Sequence, residues 1–491
     1  MRLMARLVAM VVLAVVAPVF GQRDYDQWYV LDWSGQRAGW MHLAQMTDDD
    51  LITTVSETRL SMKRGAAVID ISMESKWVET VEGRPVSMRS VQKLGAIPVT
   101  QTFTFAEDSI EANTIQGANT STRTIPLPEG NWKAPAAASR EFKRQLDEGV
   151  DPISQTILEQ GLVGLEVMTS TYEGIEQTTI EVLGKVVPAY KAKVTSDVMG
   201  GISSQSYFNA HGLPLRDEID FGFATITTIA ADKQLALSEL NAPEIMASTF
   251  VSPTGSFAKG ANPRHIRRAS YILSIGDGDM PELPTTGAQR VEPLEDGRAR
   301  VIVDLDHLVP AGDIDRDEFL APSTLVDASD GRIISITQEA TRDAGDDPAA
   351  RAEAIRRFVY DYVEEKNLGV GVATASEVCA TREGDCSEHA VLLAAMLRAD
   401  AIPSRTASGL VYVDSFLDHE RIFGYHMWAQ ALLDVDGEPT WVDLDGTFPW
   451  QVSTDATHIA LGVSSMSDAD SFDGMVALVP LMGRLQIEIE N

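Results

Sequence analysis

REGDCSEHAVLLAAML, residues Arg382 to Leu397, places a cysteine between an acidic residue and an apolar run. Read as a helix from Cys386 onward, the run puts Ala390, Leu393, Ala394 and Leu397 on one face. Asp385 then stands at the N-cap, and Glu388, three residues on, can return a bond to the cap backbone as in a capping box. Cys386 becomes the first helical residue, where the helix dipole favours a thiolate while the carboxylates of Asp385 and Glu388 oppose it. A nucleophilic reading therefore needs a base from elsewhere. Three other readings stand beside it. Cys386 could pair with Cys379 in a disulfide, be a buried thiol, or join Cys379 and His389 on a metal; the Cys-x6-Cys spacing is not a usual one for zinc.

Downstream, HMWAQALLDVDGEPTWVDLDGTF (His426 to Phe448) alternates as a strand, turns at Asp436-Gly437 and alternates again. His426, Trp428 and Gln430 share one face. With Asp436 and Gly437 as the two loop residues, Val435 pairs with Glu438, and Asp445 becomes a diagonal neighbour of His426 on that face. The hairpin thus supplies an imidazole with a carboxylate to orient it. Asp443 shares the face and competes as orienter, and His389 and His458 compete as base. A thiol at a helix start, an imidazole and a carboxylate are the parts of nucleophilic acyl transfer.

The ordered set GDCSEHA, HMW and WVDLDGTF resembles the transglutaminase-like superfamily over about a third of the chain, from roughly Leu320 onward. The resemblance implies a papain-like α+β core with a Cys386, His426 and Asp445 triad, acting on protein or peptide amides. No cofactor is expected and no metal ligand is assigned, and the sequence does not decide a metal requirement. Trp428, in the His-x-Trp, is the candidate substrate-binding residue. Gln430 and Gly446 depart from the residues many relatives carry there, which bears on substrate selection rather than on the triad.

The rest of the 491 residues reads as a multidomain chain. Residues 1–21, with Arg2 and Arg6 ahead of an apolar run from Leu7 to Phe20, read as a signal peptide, and the run is shorter than the roughly 20 residues that span a bilayer. Export to the periplasm or outside the cell is expected, with no integral membrane segment in the mature chain. Residues 22–245 alternate in short Thr-, Val- and Ile-rich runs, predicting a large antiparallel β-rich N-terminal domain. A helix is expected around Ser139 to Leu162. Residues 246–319 read as a smaller β-rich segment and 320–491 as the transglutaminase-like domain, opened by a helix from Pro348 with Asp347 as its cap.

Forty basic against 72 acidic residues give a net charge of −32, which repels phosphate backbones and excludes nucleic acid as a natural partner. A protein or peptide substrate is expected, with a cell-envelope component as one candidate. The rival reading is a catalytically inactive envelope binding or scaffold protein that works through its β-rich domains.

Overall fold

The structure is a computed structural model that describes residues 25–490 except 94–96, 118, 162–163, 198–202, 259, 277, 370–372, 468–477 and 479–480. The stretch read as a signal peptide lies outside the described residues. Among those residues no helix is long and apolar enough to cross a membrane. The chain divides into two compact units, with the boundary between Glu244 and Ile245.

The first unit is one 14-stranded antiparallel sheet. Its first strand, Tyr25–Trp33, lies between Gln36–Asp48 and the last strand, Thr225–Ala231, so the sheet grows outward from a pairing of its sequence ends. Alternation decides which side faces inward: Tyr29, Leu31 and Trp33 are buried on one strand, and Met41 and Leu43 on its neighbour. Trp77, Met88, Phe103 and Ile110 from one arm pack with Ala134 and Leu158 from the other. The sheet therefore curls until its two arms share a core.

The helix expected over 139–162 is confined to Pro135–Asp147. Gly149, at φ +71°, and Pro152 end the helical stretch, and Ile153–Gln160 is a strand in which Ile153, Gln155 and Ile157 turn inward. The helix start is fixed by a buried carboxylate. Glu79 accepts the N–H groups of Ala136 and Ala137 at 2.9 and 2.8 Å.

A second buried acid, Asp217, is pushed up to about 7 by burial, against a Ser206 hydroxyl bond that favours its ionised form. Its folded value exceeds its unfolded one, so it stays protonated on folding at mildly acid pH and opposes folding increasingly as pH rises from about 4 to 7. Asp217→Asn is accordingly expected to be near neutral at pH 4 and stabilising by about 2–4 kcal/mol at pH 8. Denaturant unfolding of the full chain at the two pH values checks this; destabilisation at pH 8 would show that the ionised carboxylate is needed.

The second unit holds two four-stranded antiparallel sheets. One runs Glu438–Leu444, His419–Val435, Ser404–Phe416 and Ile459–Ser464, and the helix Cys386–Ala399 lies on it. Helices Gly331–Thr341, Pro348–Tyr362 and Ala375–Thr381 cover the other side of that helix. Apolar periodicity alone would bury one stripe. Enclosure between sheet and helices buries every residue from Ser387 to Arg398. The other sheet runs Gln289–Pro293, Ala299–Asp304, Arg268–Ile275 and Leu485–Glu490. Its last strand comes from the C-terminus and pairs with Arg268–Ile275, so residues 246–319 and 320–491 form one unit rather than the two segments expected. The architecture is multidomain, a large antiparallel β-rich N-terminal region followed by an α+β core of papain-like layering.

Candidate active site

The start of the central helix is built by its cap. Asp385 N donates to Glu388 Oε2 at 3.1 Å and the Asp385 side chain accepts the Glu388 N–H, a capping box, while Asp385 Oδ1 also accepts from Ser387 N at 3.0 Å. A side chain at Gly384 would place its Cβ 2.3 Å from that of Glu388. Only glycine fits before this cap. Gly384 N also donates to Glu365 O, and Glu365 N to Arg382 O, bracing the approach to the helix. Cys386 therefore occupies the first helical position, partly exposed where its neighbours Asp385 and Ser387 are buried. Both cysteines are free; Cys379 is buried, with the Tyr362 hydroxyl bonded to its carbonyl at 2.8 Å.

The hairpin register is the one that brings His426 to Asp445. Val435 pairs with Glu438 across Asp436-Gly437, and the ladder continues to Ala429 opposite Leu444. Beyond it the strands part, Asp445 N bonding instead to Ser453 O. Asp445 still faces the histidine, its Oδ2 lying 2.7 Å from His426 Nε2. With Nε2 engaged, Nδ1 is the ring nitrogen left for Cys386, whose charge bears on the ring. Burial pushes the His426 ring toward neutrality, but the Asp445 charge and hydrogen bond, then the Cys386 contact, override it and raise it to about 10. Burial likewise opposes ionisation of Asp445, yet His426 and then His458 hold it well below the usual carboxylate range.

Asp445 is held from three directions. Its Oδ1 accepts Thr447 N at 2.7 Å and Thr447 Oγ1 at 2.6 Å. Its carbonyl accepts from Arg356 Nη1 at 3.1 Å, and the same guanidinium, fully buried, donates to the carbonyls of Phe448 and Trp450. Its Oδ2 takes a second imidazole, His458 Nε2, at 3.2 Å.

The competing residues are occupied elsewhere. His389 Nδ1 donates to Asp385 O at 2.6 Å, and its Nε2 faces Lys366 Nζ at 3.4 Å; burial, with the Lys366 charge, drops it to about 4 and keeps it neutral. Asp443 Oδ1 accepts from Trp428 Nε1 and Gln430 Nε2, both at 2.7 Å, so it orients the tryptophan and not the histidine. Trp428, expected at the substrate, is 1% exposed and packs with Ala407 and Ala460. Small neighbours leave room for the indole inside the core, so it forms a wall behind His426.

His426, Asp445 and His458 offer ligand atoms within 4.8 Å of one another, a grouping that could also hold a metal ion. The same atoms make a closed set of hydrogen bonds, two ring nitrogens onto one carboxylate oxygen. His458 was legible as a histidine but not as a partner of Asp445. The signal that could have found it is a repeat: Asp445-Gly446-Thr447 and Asp455-Ala456-Thr457 stand ten residues apart. In both, the aspartate Oδ1 accepts the threonine N–H and hydroxyl, a local turn that frees Oδ2 for another partner.

The family model of the transglutaminase-like superfamily matches residues 334–446, which span Cys386, His426 and Asp445. This region, near the C-terminus, is a transglutaminase-like domain. No curated protein matches the chain. Among solved structures, a β-barrel-like protein of unknown function from Brucella abortus is 12% identical, covering 42% of this chain and 96% of its own, with a TM-score of 0.33. A candidate cysteine protease from Cytophaga hutchinsonii is 16% identical over 46% of this chain and 83% of its own, TM-score 0.27. The periplasmic domain of TgpA from Pseudomonas aeruginosa, bound to ethylmercury, is 15% identical over 41% and 75%, TM-score 0.25.

Proposed function

We propose that the transglutaminase-like domain at residues 334–446 carries out thiol-dependent acyl transfer on protein or peptide amides, with Cys386 as nucleophile, His426 as acid and base and Asp445 as its orienter. The observation that carries the reading is the His426 ring, bonded through Nε2 to Asp445 and near enough to Cys386 to feel its charge. In this reading the Cys386 thiolate attacks the amide carbonyl, forming an S–C bond and a tetrahedral oxyanion. The N1 amide of Cys386 has no intrahelical acceptor and is assigned to that oxyanion. His426 gives its Nδ1 proton to the departing nitrogen as the C–N bond breaks, leaving a thioester and releasing an amine or ammonia. Water or an amine then gives a proton to His426 and attacks the thioester carbonyl, and the S–C bond breaks to release the acyl product and restore the Cys386 thiolate beside protonated His426. Export of the chain belongs to the same reading, supported by residues 1–21.

Water as acceptor gives cleavage or deamidation, and a lysine amine gives cross-linking. Incubating the protein with dimethylcasein, with and without dansylcadaverine, separates these by peptide fragments, released ammonia and dye incorporation. At least one product is expected from the parent and none from Cys386→Ala. Equal product from both proteins contradicts the assignment.

A further inference from the structure

Behind the triad lies a chain of charges that the acyl-transfer reading does not use. His458, 2% exposed at its side chain, has Nε2 on Asp445 Oδ2 at 3.2 Å and Nδ1 3.1 Å from Asp455 O and 3.5 Å from Asp455 Oδ1. Asp455 is buried as well. Its Oδ1 is filled by Thr457, and its Oδ2 lies 2.9 Å from Arg264. Trp428 and Phe448 close the ring in edge-on, each centroid 5.1 Å away.

Nε2 of His458 faces the Asp445 carboxylate, while Nδ1 lies against the Asp455 carbonyl at 3.1 Å and carboxylate at 3.5 Å and also meets the Asp455 N–H at a long 3.4 Å. Two buried carboxylates and a carbonyl against one long N–H contact favour a ring protonated on both nitrogens, an imidazolium. We propose that His458 is a positioning residue of this site, a second imidazolium clamped between Asp445 and Asp455 that fixes the Asp445 carboxylate and limits its hold on the His426 proton. The inference rests on the acyl-transfer reading for its purpose, while its geometry stands apart from it.

The physical argument concerns one oxygen. Thr447 occupies Oδ1 of Asp445, so His426 and His458 divide Oδ2 between them. A carboxylate serving one cation holds that proton more firmly than one serving two. A general acid must release its proton to the leaving nitrogen, and an undivided Asp445 would resist that release. Asp455, itself anchored by Arg264, keeps His458 charged: burial opposes the cation, but the bonds to Asp445 and Asp455 raise it to about 9. The other groups bearing on Asp445 are Lys366 and the neutral His389, from the side of the central helix, and Cys386 bears on His426. None of them donates to Asp445 Oδ2 in the manner of His458.

The test is nuclear magnetic resonance of the full chain labelled with 15N-histidine, titrated from pH 5 to 11, in the parent, His458→Gln, Asp455→Asn and His426→Ala. Two rings that stay doubly protonated to about pH 9 are expected, His426 and His458. Glutamine keeps a donor for Asp445 but no charge, so His458→Gln should move the His426 transition upward by about one to two pH units at the 5.8 Å ring separation. Asp455→Asn, which leaves the ring in place, should lower the His458 transition, and it carries the test if His458→Gln does not fold. An ordinary titration of His458 near 6.5 in the parent, or an unmoved His426 in folded His458→Gln, overturns the inference. Iodoacetamide labelling of Cys386 in His426→Ala separates the two claims. Labelling that needs His426, together with an unmoved His426 transition in His458→Gln, sinks only the role of His458; labelling indifferent to His426 sinks the triad and the inference with it.

Discussion

Asp445→Asn is expected to lower acyl transfer by about 10³-fold or more while the protein stays folded. The size follows from how the carboxylate is used. Oδ1 accepts two bonds from Thr447, so an asparagine keeps its carbonyl oxygen there and turns its amide nitrogen toward His426 and His458. An N–H would then meet two N–H groups. His426 escapes by moving its proton to Nδ1 and accepting at Nε2, which makes it a neutral ring unable to pair with a thiolate. Asp443→Asn touches only Trp428 and Gln430 through the oxygen that accepts from both, so its effect should stay within about tenfold. Rates of dimethylcasein modification for the two variants decide the matter, and a larger loss at Asp443 would move the orienting role two residues upstream.

Arg356→Met should destabilise the second unit by about 3–5 kcal/mol and reduce activity in whatever remains folded. The guanidinium is fully buried on the helix Pro348–Tyr362 and donates to the carbonyls of Asp445, Phe448 and Trp450, with Glu353 neutralising it at 2.8 Å. Methionine matches the stem but strands three carbonyls, while Glu353 keeps Arg357 at 2.7 Å. The segment from Asp445 to Trp450 lies outside the strands, and this one side chain ties three of its carbonyls together beside Asp445. Lysine restores the charge and not the fork, and Arg356→Lys should recover only part of the loss. Urea unfolding checks the stability, and an Arg356→Met protein as stable as the parent would remove the anchoring role.

Local chemistry carried most of what could be read from the sequence. The Asp-x-x-Glu cap, the helix it starts, the Asp-Gly turn and the Val435–Glu438 pairing are each settled within a few residues, and all appear as read. The contact of His426 with Asp445 follows because parity in a hairpin passes from the turn to its far end. Non-local pairing was not legible in the same way. Alternation marks Tyr25–Trp33 and Leu485–Glu490 as strands, but nothing near them says that one meets Thr225–Ala231 and the other Arg268–Ile275. The second pairing is why the middle segment belongs with the C-terminal region. The helix read through to Leu162 failed at Gly149 and Pro152, where backbone chemistry outweighed a broken apolar spacing. Trp428 failed for another reason, since sharing a strand face with His426 does not place two side chains in the same solvent, and Asp443 draws the indole inward.

Cys386 paired with a protonated His426 is the centre of the account, and the rate of its alkylation by iodoacetamide at pH 6 tests it most directly. Mass spectrometry of the digest separates Cys386 from the buried Cys379. In the parent, Cys386 beside the His426 imidazolium should react readily, and His426→Ala should slow the reaction on the order of 10²-fold, because it removes the cation that would favour the reactive thiolate. Equal rates in the two proteins would contradict the ion pair, and with it the nucleophilic role assigned to Cys386.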